Sequence, residues 1–274
     1  VGPITGKELF DRACDFADKI TDGHREKILA HATAMTVHSR HETKKALFFR
    51  LLGSVTNANM KAKVIWGSGA TIQQTANELR KALLDYDASE VLKKWGAGHE
   101  ALLEHLKKGV TRAKDARDSG DRSIWLQFAK STLSAAAFVE SFPEVGDFYR
   151  WAEQLIEDPR NSAALPLVIS QEVFGLGYTL ACDFIKESGF PGYGKPDTHI
   201  RNLLFDLELC PRDAPDYVVQ RRLIELAKEA DVTPYTFDKV LYLIGSGRFD
   251  DAGLAKIKGQ RAQFVESVRR QAQR

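Results

Sequence analysis

Two apolar stretches with helical spacing are separated by a short glycine turn, Gly175-Leu176-Gly177, and no other feature restricts the chain as much. Leu165 to Glu172 reads as a short helix, and Leu180, Ala181, Phe184 and Ile185 recur at the spacing of a second one. Glycines at 175 and 177 permit a tight reversal with positive φ and leave backbone N–H groups uncovered where the second helix begins. Those amides, with the positive end of the helix dipole, suit an anion. Neither a Walker-type Gly-Lys-Ser/Thr nor a six-residue G-x-G-x-x-G lies nearby, which makes a nucleic-acid phosphate the natural ligand. As a plain helix-to-helix turn the same residues would need no ligand at all.

The second helix is predicted to end at Gly189, because the glycines and prolines of 190–196 interrupt any regular period. A new helix starts near Asp197, whose carboxylate is placed to cap it by accepting the N–H of Ile200. A structural cap and a reactive carboxylate are both open readings of that aspartate. A backbone grip and a carboxylate one loop apart are, together, what an enzyme acting on a nucleotide sugar needs.

The remaining periodic segments are helical as well, and no clear alternating run predicts a strand. Thr5 to Glu8 reads as a capping box, Thr71 opens a helix with Ile72, Thr75, Leu79, Ala82 and Leu83 on one face, and Thr233-Pro234 gives a cap with proline in the first turn. Pro143 and Pro159 punctuate long segments, and Asp213 precedes the segment running to Ala230. A formal net charge of +2 means that nucleic acid would have to be met by a local basic face. Lys107, Lys108, Arg112, Lys114 and Arg117, and later Arg221, Arg222, Lys256, Lys258 and Arg261, are the candidates, against the plainer reading of solvated helix faces. Cys14, Cys182 and Cys210 are scattered and read as reduced, mostly buried thiols. No apolar run of membrane-spanning length and no signal-peptide pattern is present, so a soluble, cytoplasmic protein without a membrane partner is expected. Trp125, Phe128, Phe138, Phe148, Tyr149 and Trp151 are aromatic groups available for base stacking or for a core. His24, His31 and His38 recur every seven residues, with His41 beyond, but the rise of a helix spreads them too far for one metal ion. His38 and His41 alone are close enough to share a metal, and a packed or solvated helix face is the plainer reading.

Val173-Phe174-Gly175-Leu176-Gly177-Tyr178-Thr179-Leu180-Ala181 and Pro196-Asp197-Thr198-His199-Ile200 resemble the hairpin and catalytic-aspartate motifs of the helix-hairpin-helix (HhH-GPD) DNA glycosylases of the endonuclease III superfamily. Phe174 stands where that family usually has proline. Phe237 to Phe249, with Gly245-Ser246-Gly247-Arg248, resembles the helix and Gly-Arg turn behind the family's active site, and Leu51 to Asn57 is a weaker echo of the loop that enters the DNA stack. The resemblance implies an all-α, two-lobed fold with a helix-hairpin-helix motif and a cleft between lobes. Residues 51–196 would form a central helical domain ending in that motif, and 1–50 with 197–274 a second helical domain built from both termini. It implies Asp197 as the catalyst, a phosphate grip at Gly175, Gly177, Tyr178 and Thr179, entry into the stack by Thr56 or Asn57, and supporting roles for His199 and Arg248. The partner would be double-stranded DNA, bound by a monomer, with room for a monovalent cation at the hairpin and no catalytic metal.

Thr179 occupies the position of the lysine that gives strand-cutting members their Schiff base, so the resemblance implies base removal without lysine-based lyase chemistry. Lys186 or Lys195 could in principle substitute, but neither sits at that position. No cysteine follows Phe249, so no iron–sulfur cluster is expected. Arg50, Leu51 and Leu52 replace the region of the glutamate of the adenine-excising branch, which disfavours that substrate. A damaged or modified base would be removed to leave an abasic site, in base excision repair or in defence against modified phage DNA. A non-catalytic helix-hairpin-helix DNA-binding protein is the alternative.

Overall fold

The computed structural model describes residues 4–34, 40–57, 61–120 and 123–272, and every regular element among them is helical. In chain order the first α-helices are α1 (Gly6–Ile20), α2 (Arg25–Ala34), α3 (Lys44–Thr56), α4 (Lys61–Trp66), α5 (Thr71–Ala82), α6 (Ala88–Trp95), α7 (His99–Gly109) and α8 (Ile124–Glu140). They are followed by α9 (Val145–Ile156), α10 (Pro159–Ser162), α11 (Leu165–Glu172), α12 (Tyr178–Glu187), α13 (Thr198–Asp206), α14 (Asp216–Glu229), α15 (Pro234–Ser246) and α16 (Arg261–Ala272). By contacts the chain divides into two compact units, one of residues 1–39 with 185–274 and one of residues 40–184. These boundaries precede the expected ones at 50/51 and 196/197, because α3 packs on α8 and the loop before Asp197 is held by α14 and α15.

Helix ends follow the capping chemistry written in the sequence. Thr5 accepts the N–H of Glu8 at 3.2 Å and Thr233 that of Thr236 at 3.2 Å, with Pro234 in the first turn of α15. Only half of the capping box forms at α1, since the Glu8 carboxylate pairs with Arg12. In α5, Thr75, Leu79 and Ala82 are buried as predicted, but Ile72 is 48% exposed, so the packed face of α5 begins one turn later than its spacing implies.

In the unit built from both termini, α1, α2, α13, α14, α15 and α16 share one apolar core. Phe10 and Phe237 stack at its centre with ring centroids 5.6 Å apart. In the central unit the organiser is α8, which packs against α3, α6 and α7. Its alanines at 129, 135 and 136 are fully buried, letting neighbours approach closely on several sides. Phe148, also fully buried, lies 6.3 Å from Phe138, 5.6 Å from Phe142 and 5.7 Å from Phe184. Truncating such a ring costs about 3–5 kcal/mol. Trp125, Phe128, Phe138, Phe148 and Tyr149 are all core residues, which answers the stacking-or-core question left open by the sequence.

Candidate active site

Asp197 caps α13 with one oxygen. Its Oδ1 accepts the N–H of His199 at 2.9 Å and that of Ile200 at 3.2 Å, while Oδ2 takes no hydrogen bond among the described residues and the residue is half-buried. The loop that delivers it is tightly held. Pro191 O accepts the N–H of Tyr235 at 3.1 Å, and the fully buried Gln220 amide donates to Gly194 O at 3.2 Å and accepts from Gly194 N–H at 3.3 Å. A Cβ at Gly194 would overlap Leu223 Cδ2 and lie 3.1 Å from Asp238 Cβ, so any larger residue would have to displace the Leu223 side chain between α14 and α15. The chain then closes a three-residue turn, with Asp197 N–H donating to Lys195 O at 2.7 Å across Pro196.

The two residues expected to support Asp197, His199 and Arg248, are placed differently. His199 packs its ring edge-on against Tyr242, 5.7 Å between centroids, and its Cβ would be 3.1 Å from a Cβ at Gly245, so the small residue lets α13 and α15 meet. At the end of α15, Gly247 takes φ +74 and its amide donates to Leu243 O at 2.8 Å, a left-handed helix stop. Arg248 follows on the surface and is paired with Asp251 at 2.8 Å.

Beneath this loop lies an ion pair that sequence reasoning missed. Lys186 Nζ donates to Asp238 Oδ2 at 2.7 Å, and both side chains are only 4% exposed. The Lys186 ammonium also lies over the Tyr235 ring, 5.0 Å from its centroid, and the Tyr235 hydroxyl donates to Glu187 at 3.0 Å. Burial pushes the Asp238 carboxyl above its ordinary range, against the pull of Lys186; the nearby negative charge of Asp197 pushes the same way. The sequence offers Lys186 only as a substitute for the missing lysine nucleophile. A sealed ion pair is a different use of the same ammonium, and no periodicity links positions 186 and 238.

In the central unit, the turn between α11 and α12 is pinned by two apolar anchors, Val173 and Leu176, which are 1% and 2% exposed. Gly175 takes φ +76 beside the Ser131 hydroxyl, as expected for the reversal, whereas Gly177 does not adopt positive φ. Its part is to start α12: Gly177 O accepts the N–H groups of Leu180 and Ala181, each at 2.9 Å. A helix start needs ordinary φ, which is why the second glycine departs from the expectation. The N–H groups of Gly175 and Gly177 have no partner among the described residues. Tyr178 donates its hydroxyl to Ala163 O at 2.8 Å, and Thr179 is half-buried one position further along α12. Phe174 is 45% exposed, with Lys130 Nζ 5.6 Å from its ring centre.

Of the two residues expected to enter a DNA stack, Thr56 does not project. It is 2% exposed, donates to Gly53 O at 2.9 Å and accepts from Trp66 Nε1 at 2.7 Å. Asn57 is exposed at the end of α3. The rest of that turn, 58–60, lies outside the described residues, as does His38. Asn57 Nδ2 is 3.4 Å from Asp183, which also receives Arg50 at 2.9 Å and Ser54 at 3.0 Å. Among the basic candidates, Lys107 is held by Glu104 and Asp118, Arg112 by the carbonyls of Lys63 and Val64, Arg222 by Glu225 and Glu229, and Arg261 by Asp206. Much of both clusters is therefore internally compensated. The three cysteines are buried, and none is in a disulfide among the described residues. No group of three or more His, Cys, Asp or Glu among the described residues is placed to hold a metal ion, and no described helix is long and apolar enough to cross a membrane.

No known protein family, curated protein or solved structure is significantly similar to this chain.

Proposed function

We propose that this chain is a DNA glycosylase that hydrolyses the N-glycosidic bond of a damaged or modified base flipped out of duplex DNA, without lysine-based lyase chemistry. The observation that carries this reading is the state of Asp197: one oxygen is fixed by two backbone amides and the other is open on a half-buried carboxylate. A carboxylate held in this way needs little reorganisation when positive charge appears near it. Breaking the bond to the base builds such charge on the deoxyribose ring, and Asp197 Oδ2 stabilises it. The same oxygen then orients or deprotonates the water that attacks C1′.

The open amides of Gly175 and Gly177, at the positive end of α12, take a backbone phosphate. Tyr178 contributes its backbone rather than its hydroxyl, which is already committed to Ala163. Asn57 is the residue of the pair that enters the stack; Thr56 is buried and held by Gly53 and Trp66. Threonine at 179 offers no amine for a Schiff base, so the product is an abasic site with the strand intact. The buried Lys186 does not substitute for it, because its ammonium is committed to Asp238.

Asp197→Asn separates this reading from that of a non-catalytic DNA-binding protein. Both chains are incubated with genomic DNAs and modified oligonucleotides, released bases are detected by mass spectrometry, and DNA binding is measured in parallel by gel shift. Wild type releases a base, and Asp197→Asn binds equally well but releases it about 10²–10⁴-fold more slowly. Full release by the variant, or DNA binding by wild type with no base released from any substrate, overturns the proposal.

A further inference from the structure

Beside the apolar Leu223, the Asp197 loop packs against a buried charge pair. Asp238 and Lys186 are each 4% exposed and joined at 2.7 Å, although 52 positions separate them in the chain. Burying two charges is costly, and a pair of apolar residues of similar volume would serve packing as well or better. Asp238 Cβ stands 3.1 Å from where a Cβ of Gly194 would be, and Gln220 clamps Gly194 on both its carbonyl and its amide. From Gly194 the chain reaches Asp197 through a single closed turn with little freedom, because Pro196 fixes its own φ and Asp197 N–H is tied to Lys195 O at 2.7 Å. Displacement of Asp238 is therefore passed to the carboxylate that caps α13. The charges facing Asp238 are Lys186 from α12, Asp197 from the loop and Lys239 from its own helix. Lys239 is in turn 4.0 Å from Glu187, which also receives the Tyr235 hydroxyl. His199, from α13, packs against α15 one turn further on.

Resting on the reading of Asp197 as the reactive carboxylate, we propose that the sealed Lys186–Asp238 pair is a positioning device for it: Asp238 is the wall that sets the Asp197 loop, and the balance of the two buried charges sets the field in which Asp197 works. Neither residue touches substrate. A purely structural pair would tolerate neutral replacements of the same shape, whereas a field-setting pair would not be indifferent to which charge remains.

Two measurements test this, and the first requires no substrate. Carboxylate-detected carbon NMR on the full chain follows the titration of Asp238 in wild type and in Asp197→Asn. Coupling is reciprocal, and the Asp197 charge raises the proton affinity of Asp238, so the midpoint of Asp238 falls in the variant. An unchanged midpoint overturns the proposal whether or not the protein releases bases. The second measurement is the rate of base release against pH for Lys186→Met, Asp238→Asn and the double variant. Each single change lowers kcat on the order of 10²-fold with KM nearly unchanged, the loss expected from a small misplacement of a reactive group. Asp238→Asn leaves a cation and moves the acid limb of the profile to lower pH; Lys186→Met removes that cation and moves it to higher pH. The double variant returns the limb towards the wild-type position. Shifts in the same direction, or full activity in both single variants, overturn the proposal. If the single variants fail to fold, the charge-free double variant and the substrate-free titration still decide it. If wild type releases no base from any DNA, the glycosylase reading falls while the titration still tests the coupling.

Discussion

Two lysine- or arginine-to-aspartate pairs lie close to the residues of interest, one in each unit, and they are built differently. Lys186–Asp238 is sealed, with both side chains 4% exposed and a single 2.7 Å contact between them. Arg50–Asp183 is half-open, the guanidinium 26% exposed and the carboxylate 9%, and Asp183 is shared with Ser54 at 3.0 Å and Asn57 at 3.4 Å. A sealed pair cannot exchange one partner for water, so its field is fixed and its geometry is rigid. A half-open pair with several donors redistributes its hydrogen bonds when one is lost. The first suits the support of the carboxylate proposed to react, and the second suits the end of α3 at Asn57, the residue proposed to meet DNA.

Removing one cation from each pair gives the largest expected contrast in stability. Lys186→Met strands a carboxylate that is only 4% exposed and costs about 3–5 kcal/mol at neutral pH. Arg50→Met leaves Asp183 with Ser54 and Asn57, and costs about 1–3 kcal/mol. Urea unfolding of the two variants beside wild type reads the difference, and equal losses would break the distinction between a sealed and an adaptable pair. Removing both charges with Lys186→Met and Asp238→Asn recovers most of the larger loss.

That contrast also marks where the sequence stops being informative. The helices flanking the hairpin were legible because apolar spacing and glycine punctuation are local: α11 spans Leu165–Glu172 as read, and Asp197 accepts the Ile200 N–H as read. The Thr233-Pro234 start of α15 was legible for the same reason. The Lys186–Asp238 pair was not, because a lysine and an aspartate on amphipathic helices read as surface residues and only tertiary packing seals them. Nor was Gln220, whose clamp on Gly194 joins a helix to a loop far away in sequence. At Gly177 the residue type was informative and its backbone angle was not, since glycine permits positive φ without requiring it.

A smaller effect is expected where the sealed pair meets the loop. Gly194→Ala pushes a methyl group into Leu223 and against Asp238 Cβ, 3.1 Å away, an overpacking that costs about 1–3 kcal/mol. The displacement also loosens the grip of Gln220 on the backbone, so the amide NMR signals of His199 and Ile200, which report the Asp197 cap, shift in the same variant. A variant that is destabilised with those two signals unmoved would separate the packing of Gly194 from the aiming of Asp197.

The sealed pair also leaves a signature in pH, smaller again because it is the ionisation of one group. In the folded chain burial raises the Asp238 carboxyl above its unfolded value of 3.8, so the folded state holds that proton more tightly. The resulting stabilisation is full below pH 3.8 and is lost as pH rises through the elevated midpoint. Wild type therefore loses stability relative to the charge-free double variant across that window and runs parallel to it at higher pH. Chemical unfolding at a series of pH values checks the sign: a wild-type advantage that grows with pH across the window would show the ion pair outweighing its own burial.

The smallest change in stability is expected at the hairpin, and there it is informative because it is small. Gly177 has ordinary φ and no atom within 4 Å of where its Cβ would stand, so Gly177→Ala meets no obstacle inside the protein. Alanine also restricts the unfolded chain, and the net effect on stability lies between about zero and a gain of 1 kcal/mol. The same methyl group projects beside an uncommitted backbone N–H, where a phosphate would have to approach. Gly177→Ala thus keeps or raises the unfolding midpoint while weakening binding to double-stranded DNA, measured by fluorescence anisotropy at low salt. A substitution that the folded chain tolerates but its ligand does not is the behaviour of a binding surface. Unchanged DNA affinity would reduce Gly175 to Gly177 to a plain helix-to-helix turn.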